Sequence, residues 1–456
     1  MMSQPGDFPN NNVRLGHFSC MRVTIEKAGI NGEGIAYLEQ KPVFIDGALP
    51  TEVVEIELTQ SLPTYHRGKV LRRISDHPQR LVPPCPVQAE CGGCALMIAD
   101  EKLQHALKLE HLKQSLRKYV GRLDFRLIKP LVANPQPLGY RNQFKLPVQN
   151  EEGRLVAGLY AQGSNRLVKA KQCLVHDPGL EVLKPKILRL LERHGEGAFD
   201  FATQRGIRTL VLRGFDGRYQ LTLVIGKQRI EDELIEDLLN IPGIVSVYVS
   251  VNTLRQTHDV FGRYAVHRGG EKTLPVDLGG LRFELSPLAF FQLNRHQANA
   301  IFTHVASLIK PTDVVVDAYC GVGAMSLFMA KTGAKVIGVE INPDAIHSAK
   351  ANARRNELPN ATFIHGDAQD LLTPLSSKEK VSVLVVDPPR SGLSDGMLAA
   401  IQKAKIKTLI YVSCNPSTLA KNLGVLQSQY TIQSITPYDM FTQTPLLEAV
   451  VHLTLK

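Results

Sequence analysis

Two groups of residues in this 456-residue chain have the types and spacing for chemistry. The first is Cys85-Pro-Val-Gln-Ala-Glu-Cys91-Gly-Gly-Cys94, three of the seven cysteines in one short stretch. The Gly-Gly pair allows a tight turn, so that thiolates can converge on one centre. Pro84 and Pro86 favour an irregular loop. Cys173, in Lys-Gln-Cys-Leu-Val-His, is the best candidate for a fourth thiolate. Zinc sites commonly use two Cys-x2-Cys knuckles, and only one is present. A four-iron cluster held by four thiolates fits the spacing better. The second group is Asp317-Ala-Tyr-Cys-Gly-Val-Gly323, Glu340, Gly366-Asp367, Asp387-Pro-Pro-Arg390 and Ser413-Cys414-Asn-Pro416. Gly321 and Gly323 let a ligand approach the backbone closely. Glu340 suits a ribose diol, and Asp367 an adenine edge or amine. NAD and S-adenosylmethionine sites both use such features, but the loop lacks a full Gly-x-Gly-x-x-Gly, which weakens the dinucleotide reading. Cys414 precedes Asn-Pro, a helix opening, and a helix N-terminus lowers a thiol pKa. A strand-end cysteine across from an S-adenosylmethionine loop is placed for nucleophilic catalysis. Asp317 reads either as part of the loop or as a helix cap, and Cys20 and Cys320 as ordinary thiols.

These residues need elements to hold them. From about residue 290 the chain alternates strand and helix, which predicts a doubly wound parallel sheet. Val314–Val316, Lys335–Val339, Ala361–His365, Val381–Val386 and Thr408–Val412 read as its strands. Every residue of the second group follows one of them, at the carboxyl edge where such sheets bind ligands. Asn342-Pro343 predicts an N-cap with proline at the first helical position, opening a helix to about Asn356. Earlier in the chain, Met21–Ile25, Pro42–Ile45, Val53–Leu58 and Gly68–Ile74 read as short strands of a small barrel. Its last stretch carries Arg67, Lys69, Arg72, Arg73 and Arg80, a candidate track for a phosphate backbone. Asp100–Tyr119 has helical spacing, with Leu103, Leu107, Leu109, Leu112 and Leu116. Between about 130 and 275 the pattern is mixed α+β. There, Tyr140-Arg-Asn-Gln-Phe-Lys145 is a candidate RNA contact or a strand face.

Composition narrows the classes. Apolar residues make up 44% and charged residues 21%, which excludes wholesale disorder, collagen and coiled coil. Lys and Arg number 53 against 43 acids, and the net charge of +10 favours polyanionic partners, above all nucleic acid. No apolar run is long enough for a membrane span, so no membrane association is expected. The polar Met1–Asn12 and the odd cysteine count predict a cytoplasmic protein rather than a secreted disulfide framework.

Together these motifs resemble the RNA uracil-5-methyltransferase family, closest to the branch that methylates 23S rRNA and carries a TRAM domain and an iron–sulfur cluster. The resemblance runs from about residue 13 to the end. It rests on the Cys-x5-Cys-x2-Cys loop with its distant cysteine, Asp-x-x-Cys-Gly-x-Gly, Asp-Pro-Pro-Arg, Ser-Cys-Asn-Pro and a C-terminal Glu. It implies an α/β chain in three domains. Residues 13–76 would form an OB-like TRAM barrel that binds RNA. Residues 77–285 would form a mixed α+β domain with the iron–sulfur loop, its helix at about 100–120 a candidate to pack on the catalytic domain. Residues 286–456 would form the Rossmann-like S-adenosylmethionine-dependent methyltransferase domain. The resemblance further implies [4Fe-4S] ligation by Cys85, Cys91, Cys94 and Cys173. It implies a nucleophile at Cys414, a general base at Glu448, and an S-adenosylmethionine site including Gln292, Tyr319, Gly321, Gly323, Glu340, Asp367 and Asp387. The sequence departs from the family pattern in two respects. Leu446 and Leu447 stand where a histidine often precedes the C-terminal Glu, and Ala324 replaces the usual polar residue after the second loop glycine.

The implied reaction is methylation of carbon 5 of a uridine. Cys414 would add to ring carbon 6 and Glu448 would remove the carbon-5 proton. The target base must leave its stack, with Phe290 and Phe291 as stacking candidates. The TRAM domain and cluster favour 23S rRNA as partner, with no obligate protein partner. The same chemistry on a tRNA T-loop uridine is the alternative. A non-catalytic iron–sulfur RNA-binding protein is the rival of another class. A radical methylthiotransferase is disfavoured by cysteine spacing and domain order, and an NAD-linked oxidoreductase by the Asp-Pro-Pro-Arg and Ser-Cys-Asn-Pro pair.

Overall fold

Alternating apolar residues build the first sheet. In the computed structural model, which describes residues 20–161, 164–168, 170–255, 257 and 259–456, six strands follow in close succession. They are β1 (Met21–Thr24), β2 (Lys27–Ala28), β3 (Gly34–Leu38), β4 (Lys41–Ile45), β5 (Val53–Ser61) and β6 (His66–Ser75). Residues 13–19, the opening of the expected barrel, lie outside the described residues. The order is β1-β5-β6-β4-β3-β2, antiparallel except for the β4–β6 pair. Val23, Val43, Ile45, Val54 and Ile56 fill its core. The expected phosphate track needs correction at Arg80. Its guanidinium donates to the fully buried Glu52 carboxylate at 2.8 Å and to the Gly47 carbonyl at 2.8 Å, so it is a strut of the fold. Arg72 is likewise engaged, with Glu55.

The chain divides into two compact units, the first running to Val82 with Ile98–Asp100, the second comprising Pro83–Met97 and Glu101–Lys456. The second unit opens with the cysteine loop, which includes the short α1 (Gln88–Cys91), and continues with α2 (Glu101–Tyr119). A six-stranded sheet follows, in the order β12-β11-β10-β9-β7-β8. It is built from β7 (Gln143–Glu151), β8 (Arg154–Ala157), β9 (Ile207–Phe215), β10 (Arg218–Ile225), β11 (Ile244–Val251) and β12 (Val266–Gly270). Helices α3 (Pro178–Arg193) and α4 (Asp232–Leu239) cover one face, with Leu180, Ile187, Leu210, Leu221 and Leu234 in the core between them. Of the Tyr140–Lys145 segment, Gln143–Lys145 are on β7, the strand-face alternative, and Phe144 enters this core, while Tyr140 packs with Met97 and Val175. Tyr140, Asn142, Gln143 and Phe144 are buried, and only Lys145 is exposed.

A hairpin, β13 (Leu274–Leu278) with β14 (Leu281–Leu285), and α5 (Arg295–Ser307) lead into the C-terminal sheet. Its strands are β15 (Val314–Ala318), β16 (Lys335–Glu340), β17 (Ala361–His365), β18 (Val383–Val386), β19 (Thr408–Ser413), β20 (Tyr430–Tyr438) and β21 (Glu448–Leu455). Helices α6 (Ala324–Ala330), α7 (Pro343–Arg355), α8 (Ala368–Glu379), α9 (Asp395–Ala404) and α10 (Pro416–Leu426) connect them. The order is β17-β16-β15-β18-β19-β21-β20, parallel over the first five and antiparallel at β21 and β20. This is the expected doubly wound sheet, and its strands are continuous apolar runs because both faces are covered. Two buried clusters lie on its faces. Helix α2 packs against α10. The order reverses between β15 and β18, the switch point where such sheets open a ligand crevice. Among the described residues, no helix is long and apolar enough to cross a membrane.

Candidate active site and thiol cavity

The last rung of one strand pair sets the central geometry. Ser413, ending β19, pairs with Ala449 on the antiparallel β21. Continuing that register by one residue sets Cys414, just past the end of β19, across from Glu448, the first residue of β21. Asn415 caps α10 by accepting from the Ser417 amide at 3.0 Å, with Pro416 in the first turn. The Asn415 Nδ2 and Thr418 Oγ1 also donate to the Arg390 carbonyl, at 3.0 and 3.2 Å. One helix start therefore supports both the cysteine and the Asp387–Arg390 turn. The helix-opening expectation holds, but the low thiol pKa does not. Burial, followed by the Glu448 carboxyl, pushes the Cys414 thiol up to about 11, against the Arg390 guanidinium. Burial outweighs a single helix end because the thiolate loses most of its water. Glu448 is itself wholly buried. Burial and then Asp387 push its carboxyl far above the ordinary range, with Arg390 opposing. Four groups on three loops thus act on one another.

The loop after β15 is built around its glycines. Tyr319, Gly321 and Gly323 all have positive φ, at 69°, 54° and 82°. A Cβ on Gly323 would strike Phe363 at 2.9 Å, so this position serves helix–sheet packing. A Cβ on Gly321 would meet nothing within 4 Å, and its amide donates to Glu340 Oε2 at 3.2 Å. Gly321 and Glu340 line a cavity of about 420 Å³ with Tyr248, Phe290 and Asn342. Gln292, Tyr319, Gly323, Asp367 and Asp387 are not among its lining residues. Tyr319 and Asp367 form a separate pair. Burial and then Asp367 raise the Tyr319 hydroxyl, while Asp367 also caps α8 by accepting from the Gln369 amide at 2.9 Å. Asp317 is not a helix cap. It is wholly buried within β15, where Oδ2 accepts from the Ser326 hydroxyl and Oδ1 has no partner. Such an orphan acceptor beneath a glycine turn suits a ligand donor group. Of the stacking candidates, Phe291 is core, packed on Phe215 and Phe283, while Phe290 is 71% exposed.

Cys85, Cys91, Cys94 and Cys173 line one cavity of about 60 Å³, with Arg141, His176 and Thr444. Burial and the neighbouring Cys173 push the Cys94 thiol up to about 12, with Arg141 opposing. Burial also raises Cys173, but the His176 ring outweighs it and holds that thiol below its ordinary value. His176 in turn bonds Glu181 at 2.7 Å, and Glu181 bonds Lys184 at 2.6 Å. Among the described residues, no three His, Cys, Asp or Glu side chains gather closely enough to hold a single metal ion.

Comparison with known proteins agrees with this architecture. A TRAM domain model matches residues 15–71, and a tRNA (uracil-5-)-methyltransferase model matches residues 104–456. The chain belongs to the RNA uracil-5-methyltransferase family. An uncharacterized RNA methyltransferase of Bacillus anthracis is 36% identical over 444 residues, 95% of this chain and 96% of that one. One from Halalkalibacterium halodurans is 34% identical over 442 residues, 94% and 95% of the two chains. The Pyrococcus abyssi tRNA (uracil-54, C5)-methyltransferase, solved with S-adenosyl-L-homocysteine, superposes with a TM-score of 0.77 at 23% identity. That likeness covers 95% of this chain and all of the other, and it speaks for the fold. The protein is thus an S-adenosylmethionine-dependent RNA methyltransferase.

Sequence reading named Arg390 and Asp317 only as parts of their motifs, without the roles seen here: Arg390 is the cation beside Cys414 and Glu448, and Asp317 is buried within β15. One feature escaped it altogether, a clasp on the segment leading to Glu448. Lys108 and His105 of α2 bond the buried Asp439, and Lys108 Nζ also donates to the Phe441 carbonyl at 3.1 Å. Gln104 Nε2 donates to Gln443 Oε1 at 2.9 Å, and the Tyr140 hydroxyl to the Thr442 carbonyl at 3.0 Å. The Leu96 amide, from the cysteine loop, donates to the Gln443 carbonyl at 3.0 Å. Burial raises the Asp439 carboxyl, but His105 and Lys108 outweigh it and hold it below the ordinary range. The available signal was a lysine and a glutamine four apart in register with Leu112. Gln104 and Lys108 occupy the buried stripe of α2, and Leu107 and Leu109 are only half-buried.

Proposed function

We propose that this RNA uracil-5-methyltransferase methylates carbon 5 of a uridine in 23S rRNA, through a covalent Cys414 adduct and proton removal by Glu448. The supporting observation is the placement of Cys414 and Glu448 on facing rungs, with Asp387 and Arg390 acting on both. S-adenosylmethionine supplies an electrophilic methyl group when bound. Gln292, Tyr319, Gly321, Gly323, Glu340, Asp367 and Asp387 are assigned to holding it. Carbon 5 of uracil is a poor nucleophile. Addition of the Cys414 thiolate to ring carbon 6 turns the ring into an enolate, whose carbon 5 takes the methyl. Arg390 is the cation that favours that thiolate. Glu448 then takes the carbon-5 proton, and departure of Cys414 restores the ring. The uridine must be extruded from its stack to meet the thiolate.

We assign Cys85, Cys91, Cys94 and Cys173 a structural [4Fe-4S] cluster. In support, the four thiols line one cavity together with Arg141. Within this reading the domains run 13–76, 77–285 and 286–456, and the enzyme works in the cytoplasm. The TRAM domain and the thiol set favour 23S rRNA over tRNA. The same chemistry on tRNA is the second reading, favoured by the name of the Pyrococcus relative.

Labelled S-adenosylmethionine, anaerobically purified enzyme and unmodified 23S rRNA or tRNA test the proposal. The expected product is 5-methyluridine in 23S rRNA, abolished in Cys414→Ala. Label confined to tRNA overturns the substrate. No label in either RNA, with S-adenosylmethionine bound, overturns the catalytic reading.

A further inference from the structure

The chain has few aromatic residues, 6% with no tryptophan. Several of them gather with arginines about the start of β9 in the central sheet, away from the catalytic residues in sequence. Phe199 and Phe201 meet edge to face, centroids 4.9 Å apart. The Arg208 guanidinium, on β9, lies 5.6 Å from both ring centroids, and Arg255 lies 5.5 Å from that of Phe201. Tyr160 is close enough to act on the charge of Arg208. Three apolar side chains here stand open to solvent: Phe201 at 42%, Tyr160 at 44% and Leu254 at 63%. Among the described residues no carboxylate pairs with Arg208 or Arg255. Asp200 instead turns its carboxylate onto the Thr203 amide, at 2.8 Å.

The arrangement is held, not loose. Arg208 Nη1 donates to the Asn252 carbonyl at 3.0 Å and to its Oδ1 at 3.2 Å. Asn252 Nδ2 in turn bonds the carbonyls of Asp259, Val260 and Phe261, at 2.9, 3.1 and 3.2 Å. Ser250 Oγ accepts from the Gly262 amide at 2.9 Å and donates to the Tyr264 carbonyl at 2.7 Å. The next residue, Ala265, lines the cavity that holds Phe290, Gly321 and Glu340. A backbone braced at Asn252 and Ser250 therefore links the aromatic–arginine patch to the crevice beside the glycine loop.

A core has no use for exposed rings flanked by guanidinium groups that, among the described residues, meet no carboxylate. Such a surface does suit unstacked bases, which lie on aromatic faces and guanidinium planes while the positive charge meets phosphate. We infer that Tyr160, Phe201 and Arg255, braced by Arg208, form a platform for a single-stranded segment of the substrate RNA, flanking the extruded uridine. This rests on the RNA-methylation reading above and adds a docking surface distinct from the reacting residues.

The test measures binding of an unmodified 23S rRNA transcript and of a poly(U) oligonucleotide to Phe201→Ala, Phe201→Tyr and Arg255→Ala, beside Cys414→Ala as a chemistry-dead control. Phe201→Ala is expected to weaken binding roughly 5- to 100-fold, the range for loss of one stacked base. Phe201→Tyr keeps the ring and is expected to stay within about twofold. Arg255→Ala is expected to lower the slope of log affinity against log salt by about one. Melting temperature and S-adenosyl-L-homocysteine affinity should not move, and KM for RNA should rise with kcat unchanged. Wild-type affinity in both alanine variants overturns the platform and leaves the methylation reading standing. A wild-type protein that binds neither RNA overturns the reading, and the platform with it. Equal weakening by Phe201→Tyr and Phe201→Ala also overturns the platform, because stacking is then not the interaction lost.

Discussion

Replacing Asp317 by Asn tests the electrostatics of the glycine loop in one measurement. The side chain is wholly buried, Oδ2 accepts from Ser326, and Oδ1 has no partner. Burial, opposed by that hydrogen bond and reinforced by Glu340, pushes the carboxyl from an ordinary 3.8 to about 7. A shift of about three units corresponds to roughly 4 kcal/mol between the two protonation states. The folded pKa is raised, so the fold favours the protonated acid. That contribution is present below about pH 4, is lost as pH rises through about 7, and is gone above it. Asparagine keeps the shape and carries no titrating proton. The variant and the wild type should therefore be about equally stable near pH 4.5. By pH 8 the variant should be more stable by up to about 4 kcal/mol, on the order of 10 °C for a domain of this class. Urea and thermal melts of ligand-free protein at half-unit steps from pH 4.5 to 8.5 give the two curves. Glu448 is also raised and tilts both curves, whereas the raised Asp387 feels the Asp317 charge and is partly relieved in the variant, so the difference between the curves reports Asp317 together with its effect on Asp387. Parallel curves, or a variant that loses ground as pH rises, would refute the reasoning.

Four further outcomes follow from the same geometry. With its thiol near 11, Cys414 should react with iodoacetamide about tenfold faster per pH unit from 8 to 10, read by peptide mass spectrometry. Arg390→Gln should slow it further, and a plateau below pH 8 contradicts this account. Lys108→Met strands the buried Asp439 and should cost roughly 3–5 kcal/mol in denaturation, partly restored in Lys108→Met/Asp439→Asn; a single variant within about 1 kcal/mol of wild type contradicts the clasp. Gly323→Ala should destabilise the fold through Phe363, by about 1–3 kcal/mol. Gly321→Ala should fold and yet bind S-adenosyl-L-homocysteine at least tenfold more weakly by calorimetry, and unchanged binding would remove Gly321 from the ligand site.

How much the sequence could tell depended on the range of the interaction. Val314–Val316 and Thr408–Val412 were legible because buried parallel strands are continuous apolar runs. Asn342-Pro343 and Asn415-Pro416 were legible because capping is local. The facing of Cys414 and Glu448 was not, since it depends on β21 inserting antiparallel between β19 and β20, a choice no local pattern encodes. Lys108 was passed over because counting leucines treats a charged residue as surface, whereas burial beside Asp439 is decided by the far end of the chain. Arg80 went wrong for the same reason, its partner Glu52 lying across the sheet. The Cys414 thiol went wrong in sign because a helix end is visible in sequence, and the burial and carboxylates that outweigh it are not.

The clasp on Asp439–Gln443 also orders events in time. Lys108 and Asp439 are 331 residues apart, so α2 leaves the ribosome long before the segment it grips exists. Domains fold as units from the N-terminal side during synthesis. Until the final segment arrives, Lys108 has no counter-ion and the Leu96 amide of the cysteine loop has no Gln443 carbonyl. The last strand then brings in Glu448, fixes the loop before it, and completes the partner set of Cys414 in one docking step. A chain stopped short of β21 keeps its thiol and glycine loop but lacks the carboxylate opposite. The facing pair is therefore a property of the finished polypeptide, and any lesion that loosens α2 should release Glu448 while leaving the parallel strands of the sheet in place.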